Sequence, residues 1–476
     1  MTERATLANG QTVEFLPEMI GEGGMKKVYF TADRKSVVCF YKDASSAVDP
    51  NRMARLDAVL NRWNPTTAAD TGAYFSNLFC WVTGIVLQPR VGLVTPVYPG
   101  NFYFASGRWK GKPKVGKWFS SPKLRKMLPE AERGTWLNYL QLSILMARAV
   151  RRLHAAGLAH SDLSCNNILI DPPGGKIVVI DIDSLVVPGL FNPDVLGTPG
   201  YIAPEVIATS HLAPTDPQRK LPSTKTDLHA LPVLIYEYLL QRHPLRGPKV
   251  HANTAEEDER LAMGQKALFI ENPHDTSNRP TRKHGYELQI TSSQLGPHID
   301  KLLQKAFVTG LHSPEARPTA AEWESDLCRT SDLLIPCGNP SCEEKWFIYL
   351  EGQAPKCPFC GWKLGRQIPL LEFHYAPRKG QFIPEKRYLV AWDQRPLNLW
   401  HVFTNVRPDE RAPKDTQAYV CYYQNQWILV NKLLTSMLSP SGKPVPLGQA
   451  CPLTPGGAIL LSQEPKARMV TVRMIP

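Results

Sequence analysis

Four of the ten cysteines, Cys337, Cys342, Cys357 and Cys360, fall within 24 residues, and the other six are scattered along a chain of 476. A secreted disulfide framework spreads its cysteines in pairs through a small domain. Here Cys337-x4-Cys342 and Cys357-Pro-Phe-Cys360 form two thiol pairs separated by 14 residues. Four soft thiolates in two turns suit a closed tetrahedral zinc site, and such a module folds because it binds its metal. The segment from Ile335 therefore reads as a small metal-folded unit in a reduced, cytoplasmic chain.

The rest of the composition is that of globular domains, with 43% hydrophobic and 21% charged residues, which excludes wholesale disorder and fibrous repeats. No apolar run approaches the ~18–20 residues that span a bilayer, and the longest, Leu231 to Leu240, carries Glu237. The opening MTERATLANGQ lacks the apolar core of a signal peptide, so neither export nor a membrane partner is expected. The net charge of +12 fits phosphates, nucleic acid or an acidic protein. One acid-free stretch, Gly107 to Met127, holds Arg108, Lys110, Lys112, Lys114, Lys117, Lys123, Arg125 and Lys126. It reads first as a solvated loop and second as a docking site for an acidic partner.

The hydrophobic period divides the chain. Up to about residue 100, short apolar segments (VYF at Val28, VVCFY at Val37, WVTGIVL at Trp81, GLVTPVY at Gly92) predict a small antiparallel sheet, and Pro50 to Trp63 predicts one helix. From Thr135 the period becomes helical, with the first helix ending at Gly157 and others beginning near Leu231, His298 and Ala320. Beyond Gln367, the segments RYLVAW, LWHVF, AYVCYY, QWILV, GAILLS and MVTVRMI predict a β-sandwich or barrel.

The helical region holds an ordered series of polar motifs. His160-Ser-Asp162-Leu-Ser-Cys-Asn-Asn167 follows a helix end and precedes the apolar run Lys176-Ile-Val-Val-Ile ahead of Asp181-Ile-Asp183. Then come Gly197-Thr-Pro-Gly-Tyr, Ala203-Pro204-Glu205, Thr226-Asp227 and Arg317-Pro-Thr. This order resembles the C-terminal lobe of the eukaryotic-type serine/threonine protein kinases, whose catalytic loop H-R-D-L-x-x-x-x-N has the same spacing from aspartate to asparagine. The resemblance implies an α+β, bilobal kinase-like fold that uses Mg2+ with ATP. It makes Asp162 the catalytic base and Asn167 and Asp181 the magnesium ligands, with Asp183 a second metal ligand or a polar turn residue. It makes Glu205 the ion-pair partner of Arg317, and His160 and Asp227 structural.

In the small lobe, Gly21-Glu-Gly23-Gly24-Met-Lys26-Lys-Val28-Tyr resembles the glycine-rich loop over the nucleotide, with Val28 against adenine. The strand that should carry V-A-x-K reads Val37-Val-Cys39-Phe-Tyr41-Lys42, so Tyr41 stands in the lysine position and Lys42, one residue on, faces the other way. A lysine in the loop and none in the strand is similar to the with-no-lysine kinases, and Lys26 is expected on the phosphates. No glutamate lies between Gly23 and Pro129, which leaves Asp57 as the acid expected to replace the helix glutamate. Ser161 replaces the catalytic-loop arginine, and Ser164 replaces the lysine that neutralises the transferred phosphoryl group. A lost charge-assisted hydrogen bond of about 1.5–3 kcal/mol slows turnover about 10- to 150-fold without abolishing it.

The Cys-Pro-x-Cys-Gly turn resembles a zinc-ribbon knuckle, and the tail is faintly similar to forkhead-associated β-sandwiches. Together these features resemble the kinase of the bacterial tellurite-resistance-associated phosphorylation triad. That resemblance implies a von Willebrand A-type substrate protein and an antagonist PP2C-type phosphatase; nucleic acid is not expected. The expected domains are a kinase N-lobe (1–99), a C-lobe (100–332), the ribbon (333–366) and a β-rich domain (367–476). The rival reading is a pseudokinase scaffold that binds nucleotide and partners without efficient transfer.

Overall fold

The computed structural model describes the chain except residues 44–47, 188–189, 192–195, 214, 286, 379 and 476. Part of the segment between Asp181 and Glu205 thus lies outside the described residues. Two compact units are present: Met1–Gly134 with Gln141–Leu288 and Leu302–Trp323, and Thr135–Leu140 with Gln289–Lys301 and Glu324–Pro476.

In the first unit, six antiparallel strands close into a barrel in the order β1-β2-β3-β4-β6-β5, from β1 (Glu3–Leu7), β2 (Thr12–Glu22), β3 (Lys26–Thr31) and β4 (Ser36–Tyr41) to β5 (Gly84–Gln88) and β6 (Gly92–Pro96). The expectation of a small antiparallel sheet missed β1, whose pairing with both β2 and β5 closes the barrel. Alternation along β4 decides what faces where. Val38 and Phe40 pack with Ala5, Leu7, Phe15, Val86 and Val94, whereas Tyr41 packs in a second cluster with Leu56 and Leu93. Leu56 lies on α1 (Pro50–Asp57), which starts on the Asp49 cap and Pro50 and runs into a π turn, Ala58–Arg62.

The larger part of this unit is built around α2 (Trp136–Ala155) from Gln141 onward, the hairpin of β7 (Ile168–Asp171) and β8 (Lys176–Val179), α3 (Pro204–Thr209) and α4 (Thr224–Leu240). The α2 helix ends where expected, with Gly157 at φ +76° donating to the His154 carbonyl. The α4 helix begins seven residues before the apolar run that predicted it, on a Ser223–Thr226 capping box.

The basic stretch is not simply a solvated loop. Its cations Lys114 and Arg125 are buried; the Lys114 ammonium lies 3.0 Å from Glu132 and 3.6 Å from Asp171. Around them Phe104 stacks on Phe119, and Trp109 lies 5.2 Å from Trp118. The segment is tied to the β7 strand and the loop before it: the Ile170 N–H donates to the Lys114 carbonyl and the Lys117 N–H to that of Cys165. Arg108, Lys110, Lys112, Lys117, Lys123 and Lys126 remain exposed.

The second unit holds α5 from Glu324 onward (helix Ala320–Ser331), the hairpin of β9 (Leu334–Pro336) and β10 (Trp346–Ile348), and two four-stranded antiparallel sheets. One sheet is ordered β12-β11-β18-β17, from β11 (Ile368–Arg378), β12 (Gln381–Val390), β17 (Ala458–Leu460) and β18 (Arg468–Ile475). The other is β13-β14-β15-β16, from β13 (Pro396–Asn398), β14 (Thr416–Tyr423), β15 (Gln426–Asn431) and β16 (Ala450–Pro452). The tail is all-β apart from one helical turn, α6 (Leu399–Val402), where LWHVF was expected to be a strand. Asn398 caps that turn reciprocally with His401, whose other ring nitrogen lies 3.0 Å from the buried Asp332 carboxylate. Among the described residues no helix is long and apolar enough to cross a membrane.

Candidate active site

The site forms where the β2–β3 hairpin meets the loop before β7 and the turn after β8. Lys26 and Tyr41 are directly opposed on β3 and β4, as are Val28 and Cys39, so all four side chains share one face. The Lys26 ammonium reaches Asp181 at 2.8 Å and Asp183 at 2.6 Å. Lys42 lies on the other face and pairs with Glu22 at 2.7 Å. Strand parity separates the two lysines. Gly24 has no atom within 4 Å of where a Cβ would stand, and Gly21 and Gly23 have none nearer than 3.9 Å, so this hairpin leaves backbone open to a close ligand.

Asp181 itself sits in the left-handed region at φ +59°, and Ser161 at φ +60°, an uncommon conformation for non-glycine residues that clusters at functional sites. The Ser161 hydroxyl donates to the Ser184 carbonyl, and the Ser184 hydroxyl donates to that of Asp181, so the two strained turns brace each other. Burial and the adjacent Asp183 charge push the Asp181 carboxyl up from its ordinary range. Burial acts on Asp183 in the same sense, but the Lys26 charge and the bonds from Lys26 and Tyr41 outweigh it and hold Asp183 low. For Lys26 burial opposes the charge, and Asp183 and Asp181 together keep it a firmly protonated ammonium.

Asp162 is held from two sides. The Asn167 amide donates to its Oδ2 at 2.9 Å and to its backbone carbonyl at 2.8 Å, and the Thr198 hydroxyl donates to Oδ1 at 2.7 Å. With both bonds made through nitrogen, Oδ1 of Asn167 is its ligand-capable atom. The Thr198 oxygen also lies 3.1 Å from the hydroxyl of Ser164, which is buried. Thr198 belongs to the Gly197-Thr-Pro-Gly-Tyr segment, and nothing in the sequence marks it as a partner of Asp162.

The supporting residues fall in place around this loop. The His160 ring meets the Ile180 carbonyl at 3.0 Å, and its backbone N–H donates to Asp227, which also lies 3.0 Å from His154. Arg317 is fully buried and grips Glu205 with two bonds of 2.8 and 2.7 Å, while also donating to the carbonyls of Gly310, Lys225 and Leu311. That geometry fixes α3 to the start of α4.

Two of the expected site residues have surroundings of their own. Asp57 is exposed and accepts from Asn61. The buried side of α1 is Arg52, Arg55 and Leu56, and the Arg52 guanidinium lies 5.1 Å from the Tyr41 ring centroid. Five residues along a helix turn Asp57 well away from Arg52's face. Asp183, expected to be a second metal ligand or a polar turn residue, meets Lys26 with one oxygen and the Tyr41 hydroxyl, at 2.8 Å, with the other. Asn167 Oδ1 and Asp181 are the hard oxygen donors whose chemistry fits magnesium.

In the second unit the sulfurs of Cys337, Cys342, Cys357 and Cys360 all lie within 4.8 Å of one another. Cys337 to Cys360 measures 3.5 Å and Cys342 to Cys357 3.9 Å. The edge of a tetrahedron with zinc–sulfur bonds of ~2.3 Å is about 3.8 Å. The Cys357 N–H donates to the Trp362 carbonyl and Gly361, at φ +78°, donates back to Cys357, which forms one knuckle. The other spans the β9–β10 hairpin, where Cys337 bonds the Lys345 carbonyl. These four cysteines could form a zinc site.

Residues 128–325 match the family model described as protein kinase domain. The chain is 37% identical over 112 residues to the serine/threonine-protein kinase WNG2 of Toxoplasma gondii, covering 23% of this chain and 20% of that protein. It is 28% identical over 208 residues to a TBC domain-containing protein kinase-like protein of Gallus gallus, covering 43% and 22%. To the serine/threonine-protein kinase ULK1 of Homo sapiens it is 28% identical over 111 residues, covering 21% and 10%. The chain thus spans less than a quarter of the length of these curated relatives. A solved kinase domain, a Toxoplasma gondii specific rhoptry antigen, superposes with a TM-score of 0.40 at 15% identity, over 70% of this chain and 86% of that one. Residues 128–325 are thus similar to protein kinase domains, and serine/threonine kinases are among the proteins they resemble.

Proposed function

We propose that this chain is an ATP-dependent serine/threonine protein kinase that transfers the γ-phosphate of Mg-ATP to a protein hydroxyl, itself included. The observation that carries the reading is one constellation: Lys26 brought to Asp181 from the glycine hairpin, beside an Asp162 held by Asn167 and Thr198. Phosphoryl transfer asks the protein mainly to align a hydroxyl with the phosphate and to offset developing charge. Asp162 accepts the hydroxyl proton, and Asn167 and Thr198 keep its carboxylate from rotating. Lys26 sits on the phosphates, and Gly21, Gly23 and Gly24 let backbone approach them, with Val28 against the base. Asn167 and Asp181 would hold magnesium, which would supply charge neutralisation to the phosphates.

The finer assignment follows the resemblance. The chain acts in the cytoplasm as the kinase of a bacterial tellurite-resistance-associated triad, with a von Willebrand A-type protein as substrate and a PP2C-type phosphatase as antagonist. The ribbon (333–366) holds one structural zinc, and the β-rich domain (367–476), like a forkhead-associated domain, docks partner proteins; the N-lobe (1–99) and C-lobe (100–332) carry the transfer.

The test is incorporation from labelled ATP with Mg2+, on the chain alone and with an acidic von Willebrand A-type protein. Loss in Asp162→Ala and Lys26→Met, but not in Lys42→Met, is the expected result. ATP binding without incorporation in any sample would replace this reading with the scaffold.

A further inference from the structure

A phosphate-gripping lysine needs a fixed carboxylate, because an ammonium on a flexible four-carbon stem must lose its rotamer freedom to hold one place. No glutamate exists in the small lobe between Gly23 and Pro129, and the buried face of α1 presents Arg52 and Arg55. The helix therefore offers Lys26 a like charge where an anchor would be needed. We infer that Asp183 is the anchoring carboxylate of Lys26, and that Tyr41, in the place of the missing strand lysine, locks Asp183 for that task. The inference rests on the kinase reading above and assigns Asp183 and Tyr41 as positioning residues.

Asp183 Oδ1 takes the Lys26 ammonium at 2.6 Å, and Oδ2 takes the buried Tyr41 hydroxyl at 2.8 Å. Tyr41 opposes Lys26 across the β3–β4 ladder, so lysine, tyrosine and aspartate close a triangle with two corners on one sheet face. The Tyr41 ring is itself flanked by Leu56 and Leu93 and covered by Arg52. Three elements thus fix the Asp183 carboxylate before any ligand arrives. Asp181 is held differently: one oxygen meets Lys26, and its turn is braced through backbone, by Ser184. Of the two aspartates, Asp181 is the one free to release lysine to a phosphate and take up a cation.

The test is a double-mutant cycle on the full chain, read as ADP affinity by calorimetry in chelator and across a Mg2+ titration. Asp183→Asn alone weakens ADP binding about tenfold, the loss expected for one charge-assisted bond. In a Lys26→Met chain the same substitution shifts ADP affinity and the half-saturating Mg2+ concentration by less than about threefold, because the residue it acts through is gone. A merely structural role would show no such dependence on Lys26. A larger rise in half-saturating Mg2+ in the Lys26→Met chain would make Asp183 a metal ligand and overturn the inference, as would wild-type ADP affinity in Asp183→Asn. Tyr41→Phe reproduces the pattern at smaller amplitude and takes the place of Asp183→Asn if that variant does not fold. A wild-type chain that binds no ADP overturns the kinase reading as well, which separates the two failures.

Discussion

Gly116 is where the basic segment touches the catalytic loop, and it leaves no room for a side chain. A Cβ there would stand 1.9 Å from the Tyr238 hydroxyl oxygen, 3.2 Å from its ring carbon and 2.9 Å from the Cys165 carbonyl. Ordinary carbon contacts begin near ~3.5 Å, so Gly116→Ala requires a displacement of about 1.5 Å. Tyr238 is buried within α4 and the Cys165 oxygen is backbone, so neither can swing aside. Overpacking of this kind costs about 1–3 kcal/mol, and the rigid surroundings place Gly116→Ala near the top of that range. Thermal unfolding should fall by about 5–10 °C. The same displacement reaches the chemistry. Lys117 donates to the Cys165 carbonyl, and Cys165 lies between Asp162 and Asn167. A shift near 1 Å at a reacting group costs on the order of 100-fold, so kcat should fall about 10- to 100-fold with ATP affinity nearly unchanged. Gly100→Ala is the control, because no atom lies within 4 Å of its added Cβ and its φ is not positive. Adding Tyr238→Phe to Gly116→Ala removes the 1.9 Å contact and leaves the 2.9 Å one, so part of the stability should return. Differential scanning calorimetry and initial rates decide the matter. A Gly116→Ala chain that melts within a degree of wild type, or one that Tyr238→Phe does not relieve, refutes the argument.

Glu237 is buried beside the Tyr201 hydroxyl, and burial pushes its carboxyl up to about 7. A carboxyl that holds its proton longer when folded destabilises as pH rises from its unfolded value near 4.5 to about 7, by up to about 3 kcal/mol, and no further above that. Glu237→Gln should therefore gain stability over wild type progressively between pH 5 and 7 in urea unfolding; a pH-independent difference would refute this. The ribbon should carry one zinc per chain by elemental analysis. Lys345, Lys356 and Lys363 are already exposed, so stripping the zinc with a chelator should act by loosening the backbone around them and speeding trypsin cleavage there; unchanged protease resistance after complete removal would count against a metal-folded module.

What could be read from the sequence depended on how far each feature lies from its partners along the chain. Asp162 and Asn167 belong to one loop, so their spacing already implied their meeting, and the four cysteines lie close enough for the same reason. The opposite faces taken by Lys26 and Lys42 follow from strand parity, a local rule that holds wherever a strand stays in register. Asp57 lies off the buried face because helix periodicity ranks faces without saying which faces the cleft; that phase is set when Leu56 packs with Tyr41 on the preceding strand and with Leu93 further along the chain. The LWHVF turn shows the same limit at short range. Its apolar residues satisfy a strand pattern, and the Asn398–His401 cap, with Asp332 sixty-nine residues away from His401, chooses the helical turn. The buried Lys114 was hidden because its partners Glu132 and Asp171 and the aromatic cluster around it follow no period. Tyr41 and Asp183, 142 residues apart, form the pair least visible of all. Each residue looks like a defect in its own motif, a tyrosine where lysine belongs and an aspartate where glycine belongs. Only the folded chain brings the two departures together, and with them a third, the lysine in the glycine hairpin.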